Sequence, residues 1–202
     1  MQIVDFVTSN ANKVAWANEI AEKCDYPIHF EKYSYDFEEG RTTDVEETVR
    51  KKVEQSMVVA KRQFIVEDSG FFIDALNGFP ATYVKFCLTT IGITGITTLM
   101  GKVDDGKRTY SIKSAIGYGN PELKKTCTVL SSSSGKLGRH HVAGNDRGWG
   151  DIMGLIIPHG YETTITKFDD LEWLHYKCDI ENGDAFTVSL GKILRIINDN
   201  HA

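Results

Sequence analysis

Apolar positions along the chain fall into short blocks that alternate between two spacings. Ile3, Val4, Phe6 and Val7 make Gln2 to Val7 a buried strand. The polar stretch Thr8-Ser9-Asn10-Ala11-Asn12-Lys13 follows. Then Val14, Ala17, Ile20, Ala21 and Cys24 recur on one helical face. Ile28 to Tyr35 alternates as a second strand, and Tyr35 to Gly40 is an acidic turn. A long helix begins at Asp44, with Val45, Val49, Val53, Met57 and Ala60 near one face and Arg50, Lys51, Lys52 and Lys61 on the other. Phe64, Ile65 and Val66 form a strand that is expected to end in Glu67-Asp68. Asp68-Ser69-Gly70 reads as a turn, before a second apolar run.

The second half changes character. Gly78-Phe79-Pro80 is a turn, and Ala81 to Met100 reads as two short helices broken around Gly92 or Gly95. Arg108 to Tyr118 alternates, with Tyr110, Ile112, Ile116 and Tyr118 on a common face. Gly119-Asn120-Pro121-Glu122 turns the chain into Lys125 to Ser131, which predicts an antiparallel hairpin. Ser131 to Gly135 reads as a flexible polar stretch, and Gly144 to Asp151 as a glycine-rich loop. Ile152 to Ile157 is expected to be a short strand. Val188 to Ile197 closes the chain as a helix packed through Leu190, Ile193, Leu194 and Ile197. Strands and helices alternate early and a hairpin comes late, so the expected class is α/β with a mixed sheet, in a single domain over 1–202.

Composition narrows the partners. The 202 residues are 41% apolar and 25% charged, with a formal net charge of −5. A duplex-binding domain carries a basic surplus or stripe, so no nucleic-acid partner is expected. Cys24, Cys87, Cys127 and Cys178 form no C-x-x-C pair and read as scattered reduced thiols. The N-terminus lacks the basic region of a signal peptide. No run of about 18 apolar residues suggests a membrane span. A cytoplasmic location without a membrane partner is the expectation.

Two stretches carry candidate chemistry. Adjacent carboxylates at Glu67 and Asp68 can hold a cation and accept a proton in one place; the same residues also suit an ordinary surface turn. The step from the first strand into its helix offers free backbone amides beside Lys13, which suits an anion. Ser9 or Asn10 can cap that helix. Gly101 to Lys107 nearly matches a phosphate loop, but Arg108 replaces the required hydroxyl residue. His140 and His141 are adjacent and point apart on a strand, which disfavours shared metal ligation. No G-x-S-x-G elbow supports a serine hydrolase.

Taken together, three stretches resemble the inosine triphosphate pyrophosphatase family. They are Thr8 to Lys13, then Glu38-Glu39 followed by the helix with Glu46 to Lys52, and Glu67-Asp68-Ser69-Gly70 through Asp74 to Pro80. The resemblance implies an elongated mixed β-sheet with flanking helices, two lobes and a central active-site cleft. It implies a homodimer that hydrolyses inosine or xanthosine triphosphates, or their deoxy forms, to monophosphate and pyrophosphate with Mg2+. By that resemblance Thr8, Ser9, Asn10, Lys13, Lys52 and Ser69 bind the triphosphate. Glu38, Glu67 and Asp68 hold the metal, with Glu39 as an alternative register for Glu38. Asp68 is the general base. Trp149 stacks on the base and Asp151 reads its edge, and Ser189 contacts substrate from the last helix.

The base-recognition segments depart from the family pattern. Gly150 separates Trp149 from Asp151, and no proline follows the aspartate. Where the family has Ser-His-Arg, this chain has Ser189-Leu190-Gly191, so donors that normally read the 6-oxo group are missing. Lys177 and Lys192 are the cations that can replace them. Two rivals fit the same motifs: a pyrophosphatase for a different or modified base, and a nucleotide-binding protein without hydrolysis.

Overall fold

The computed structural model describes residues 1–38, 40, 42–145 and 150–199. The strands are β1 (Gln2–Val7), β2 (Ile28–Tyr33), β3 (Phe64–Ile73), β4 (Pro80–Ala81), β5 (Thr109–Asn120), β6 (Lys125–Leu137) and β7 (Ile156–Pro158). The helices are α1 (Ala11–Lys23), α2 (Val45–Val59), α3 (Val84–Thr90), α4 (Gly92–Leu99), α5 (Asp170–Cys178) and α6 (Ala185–Asp199). One sheet runs in the order β2-β1-β3-β5-β6-β7, with β4 paired to β3. β1 pairs in parallel with β2 and β3, and the other pairings are antiparallel. The sheet is mixed, as the alternation in the sequence implies.

The period of two along the central strands divides one sheet face into three zones. On β3, Ile65 joins a first core built by Val14, Ala17 and Ile20 of α1 with Leu190, Ile193 and Leu194 of α6. Phe71 and Ile73 join a second core with Cys87, Ile96, Met100 and Phe168. Glu67 and Ser69 fall between them on the same face. β5 repeats the order: Tyr118 and Ile116 enter the first core, Ile112 and Tyr110 the second, and Ser114 stands between. The antiparallel register sets Glu67 opposite Ile116 and Ser69 opposite Ser114. The polar interval between two cores is therefore a cleft floor.

The other face holds a third core, where Phe64, Val66, Val7 and Ala115 meet Val45, Val49 and Val53 of α2. Asp44 caps α2, accepting from the Glu46 amide at 2.8 Å and the Glu47 amide at 3.1 Å. α2 lies close to β5 because Gly117 has no side chain. A Cβ there would stand 2.2 Å from Val53 Cγ2 and 2.9 Å from Val49 Cγ1. In the second core, buried Arg108 donates to the carbonyls of Met100 at 2.7 Å, Leu137 at 3.0 Å and Gly138 at 2.7 Å. It ties the end of α4 to the end of β6.

Several local expectations need correction. Asp68-Ser69-Gly70 is not a turn, and β3 does not end at the acids. The strand continues to Ile73 because Asp68, Ser69 and Gly70 pair with Ala115, Ser114 and Lys113. Ladder hydrogen bonds outweigh turn preference there. For the same reason Ser131 to Ser134 is strand, paired with Ser114 to Ser111. Ile152 to Ile157 is split: Gly150–Gly154 is a 3-10 turn, and only Ile156–Pro158 pairs with β6. α5 was not expected at all. Its start is a capping box, with Asp169 and Glu172 satisfying each other's backbone amides. The helix break expected around Gly92 or Gly95 falls at Ile91-Gly92. Among the described residues, no helix is long and apolar enough to cross a membrane.

Candidate active site

Glu67 is the most enclosed charge on the cleft floor, its side chain 1% exposed. Burial of a carboxylate this deep requires partners, and three are present. The Lys13 ammonium pairs with one oxygen. The Ser69 hydroxyl and the Ser114 hydroxyl, the latter at 3.2 Å, donate to the other. Lys13 reaches inward from the first turn of α1, whose start Asn10 caps by accepting from the Asn12 amide at 3.0 Å. Thr8 in turn accepts from the Asn10 amide at 3.1 Å. The end of β1 and the start of α1 thus bring free helix amides and an ammonium to Glu67.

Asp68 follows Glu67 on the strand, so it faces α2. Lys52 donates to its Oδ2 at 2.9 Å, and the Ser69 amide donates to Oδ1 at 2.8 Å. The Lys52 ammonium also lies 5.5 Å from the centre of the Phe37 ring. Burial raises the Asp68 pKa above its ordinary value; Lys52 opposes that shift and the Glu67 charge adds to it. A carboxylate raised in this way is better matched to proton acceptance near neutrality.

Two hollows meet at Glu67. One, of about 670 Å³, is lined by Thr8, Ser9, Tyr35, Phe37 and Lys52. The other, of about 600 Å³, runs between the two cores and is lined by Lys13, Trp16, Glu19, Trp173, Lys177 and Asp184 among others. The first is largely polar, with Lys52 beside Asp36 and Glu67, and the second has an aromatic wall. Trp16 lies 5.2 Å from Phe186 and 6.1 Å from Trp173, centre to centre. The pair suits a ligand with a polyanionic end and a flat end.

Comparison with known proteins assigns the chain to a family. The Ham1 family model matches residues 4–172. The chain belongs to the Ham1 family. A dITP/XTP pyrophosphatase of Methanothermobacter marburgensis is 35% identical over 169 residues, covering 84% of this chain and 86% of that protein. Another, of Hyperthermus butylicus, is 26% identical over 171 residues, 85% of each chain. Among solved structures, a Staphylococcus aureus Ham1 protein matches at TM-score 0.75 and 15% identity, over 98% of this chain and 100% of that one. A Coxiella burnetii HAM1 protein matches at TM-score 0.75 and 18% identity, over the same shares.

In this Ham1 family member, Lys13, Lys52, Glu67, Asp68 and Ser69 converge as a connected group. Thr8 and Ser9 line the adjoining hollow, and Asn10 lines the aromatic one. Glu38 is exposed on the loop before α2. Gln55 holds its backbone, donating to its carbonyl at 3.1 Å and accepting from its amide at 2.9 Å. Glu38 and Lys52 share a shallow hollow. Glu39 and Trp149 lie outside the described residues. Asp151 is exposed on the 3-10 turn, where a His141 ring nitrogen meets its carbonyl at 2.9 Å.

Ser189 requires a correction. Instead of facing a substrate it is fully buried, because α6 lies directly on β5 and its hydroxyl donates to the Ser114 carbonyl at 2.8 Å. Its link to the cleft runs through Ser114.

Carboxylate oxygen is the donor that a hard divalent cation prefers, and β3 offers it on both faces, Glu67 toward the cleft and Asp68 toward α2. Among the described residues, no group of three or more His, Cys, Asp or Glu side chains forms a closed cage. Magnesium does not need one, since it keeps several waters and takes one or two carboxylates.

Sequence reasoning missed Ser114, Trp16, Glu19, Trp173 and Asp184. Ser114 had a signal: it is the polar break in the alternation Tyr110, Ile112, Ile116, Tyr118. The same face on β3 breaks at Glu67 and Ser69. Asp184 begins α6 by accepting from the amides of Phe186 at 2.7 Å and Thr187 at 3.1 Å. Burial pushes its pKa up to about 6, against those amide bonds.

Proposed function

We propose that the chain hydrolyses non-canonical purine nucleoside triphosphates, the inosine and xanthosine forms and their deoxy counterparts, to monophosphate and pyrophosphate. The observation that carries the reading is the arrangement of two ammonium groups, Lys13 and Lys52, against two adjacent strand carboxylates, Glu67 and Asp68. Beside them lie a helix start and an aromatic-walled cleft. The triphosphate sits across the β1–α1 turn, where backbone amides and Lys13 meet its charge. Asp68 takes the proton from the water that attacks the α-phosphorus. Lys52 keeps the Asp68 carboxylate oriented and balances charge on the departing pyrophosphate.

Glu67 and Asp68, with Glu38 nearby, are the residues that would hold Mg2+. The ion would supply charge neutralisation on the phosphates. Ser69 stands next to the same phosphates. The base lies in the aromatic-walled hollow, and Trp149 and Asp151 keep the stacking and edge-reading roles that the family resemblance gives them.

We also read the protein as a cytoplasmic homodimer. Phe86, 67% exposed, and Leu99, 52% exposed, on α3 and α4 support a buried partner surface there. Sedimentation of the native chain beside Phe86→Glu tests this: a dimer that the variant leaves intact places the contact elsewhere.

The test of the activity is hydrolysis of a nucleotide panel with magnesium, identifying both products. Inosine or xanthosine triphosphate should yield monophosphate and pyrophosphate, and Asp68→Asn should lower turnover at least about a thousandfold with folding retained. Diphosphate and orthophosphate as products would exclude attack at the α-phosphorus. Folded protein with no turnover of any nucleotide would favour a binding role.

A further inference from the structure

The donors that the family resemblance assigns to 6-oxo recognition have no place at their usual positions. Leu190 is fully buried in the first core. At Gly191 a Cβ would stand 2.7 Å from the Ile180 Cβ, so no side chain fits. Lys192 lies on the β6 side, donating to the Leu130 carbonyl at 3.2 Å and the Ser131 hydroxyl at 2.9 Å. Among the described residues lining the aromatic-walled cleft, the cationic side chains are Lys13 and Lys177. Lys13 is at the phosphate end, bound to Glu67.

We propose that Lys177 and Glu19 together read the base, with the Lys177 ammonium donating to the 6-oxo group and the Glu19 carboxylate accepting from the neighbouring ring N–H. This rests on the nucleotide pyrophosphatase reading above and names how its base is chosen. The two side chains form an ion pair that lines the cleft. A carboxylate beside an ammonium offers an acceptor next to a donor. The edge of a 6-oxopurine offers a ring N–H next to a carbonyl, which is the complement. Adenine reverses that order, presenting an acceptor at the ring nitrogen and a donor at the amino group.

The pair is held in place and has a flat surface beside it. The Lys177 carbonyl accepts from the Thr187 hydroxyl at 2.7 Å and from Trp16 Nε1 at 3.4 Å, tying the end of α5 to α6 and α1. The Lys177 ammonium lies 5.7 Å from the centre of the Trp16 ring. Trp16 and Trp173 continue the wall along which a purine can lie. A donor fixed in this way loses little freedom on binding, so its removal is felt in selectivity.

The experiment compares the native chain, Lys177→Met and Lys177→Arg in two measurements. In steady-state hydrolysis of inosine and adenosine triphosphates, Lys177→Met should lower the inosine-to-adenosine ratio of kcat/KM about 10- to 100-fold, mainly through the inosine KM. Lys177→Arg should restore a large part of that ratio. In parallel, quenching of tryptophan fluorescence by inosine monophosphate reports binding without turnover. The same loss should appear there. An unchanged ratio and unchanged inosine monophosphate affinity in Lys177→Met would overturn the assignment. If the native chain hydrolyses nothing but inosine monophosphate binding still depends on Lys177, the base-reading pair stands and the hydrolytic reading fails.

Discussion

Ser189 on α6 donates to the carbonyl of Ser114 on β5 at 2.8 Å, and the Ser114 hydroxyl donates to Glu67 at 3.2 Å. This two-step chain connects the buried side of α6 to the cleft floor. It separates the roles of the two serines. Ser114→Ala removes a donor from the buried Glu67 carboxylate and should lower kcat about threefold to tenfold, at a stability cost of about 1–3 kcal/mol. Ser189→Ala should instead cost about 1 kcal/mol of stability, with KM unchanged. A large rise in KM for Ser189→Ala would return that residue to the substrate surface.

Gly117→Ala tests how α2 positions the catalytic face. The added Cβ would meet Val53 at 2.2 Å and Val49 at 2.9 Å. Neither neighbour can yield without moving the helix that carries Lys52. Overpacking of this kind costs about 1–3 kcal/mol, and activity should fall roughly tenfold as Lys52 loses its alignment with Asp68. Urea unfolding and steady-state rates measure the two parts. A stable, fully active variant would show that α2 tolerates displacement.

Arg108→Met tests the brace of the second core. The guanidinium is buried and serves the carbonyls of Met100, Leu137 and Gly138. Methionine fills part of the volume but leaves those acceptors unmatched. The expected loss is roughly 3 kcal/mol or more, read from the urea midpoint. A loss below about 1 kcal/mol would mean that other donors or water replace the guanidinium readily.

Asp184 gives a pH dependence with a definite sign. Burial raises its pKa to about 6 in the folded chain, against about 3.9 when unfolded. Between those values the folded state keeps a proton that the unfolded state has released. The contribution to stability is fully present below about pH 4 and is lost as the pH rises through 6. Asp184→Asn keeps an oxygen to cap α6 and removes the titration. Relative to that variant, the native chain should lose on the order of 2–3 kcal/mol between pH 4 and 7. Parallel stability curves for the two proteins would refute the shift.

Much of the frame was legible because burial imposes simple periods. The helical faces of α1, α2 and α6 and the hairpin of β5 and β6 all follow from apolar spacing. The acids at Glu67 and Asp68 were legible as chemistry but misplaced in structure, at a strand end and a turn. Turn preference is local, whereas the partner strand that overrides it arrives about 40 residues later. Ser131 to Ser134 was misread for the same reason. α5 was hidden because only Tyr176 on it is buried, so its apolar pattern is faint. Trp16 and Glu19 became visible only through convergence, since α1 and α5 are joined by nothing local in the chain. Ser189 matched a motif by letter, but its exposure depends on how closely α6 meets the sheet.

The acids lie midway along a ten-residue strand that is paired through its whole length with β5. Ladder amides at a sheet centre exchange with solvent only when the surrounding structure opens cooperatively. The ladder amides that β3 and β5 exchange around Glu67 and Ile116 should therefore be among the slowest to exchange. The antiparallel pairing of β3 with β5 thus holds Glu67, Ser69 and Ser114 in one register beneath the cleft.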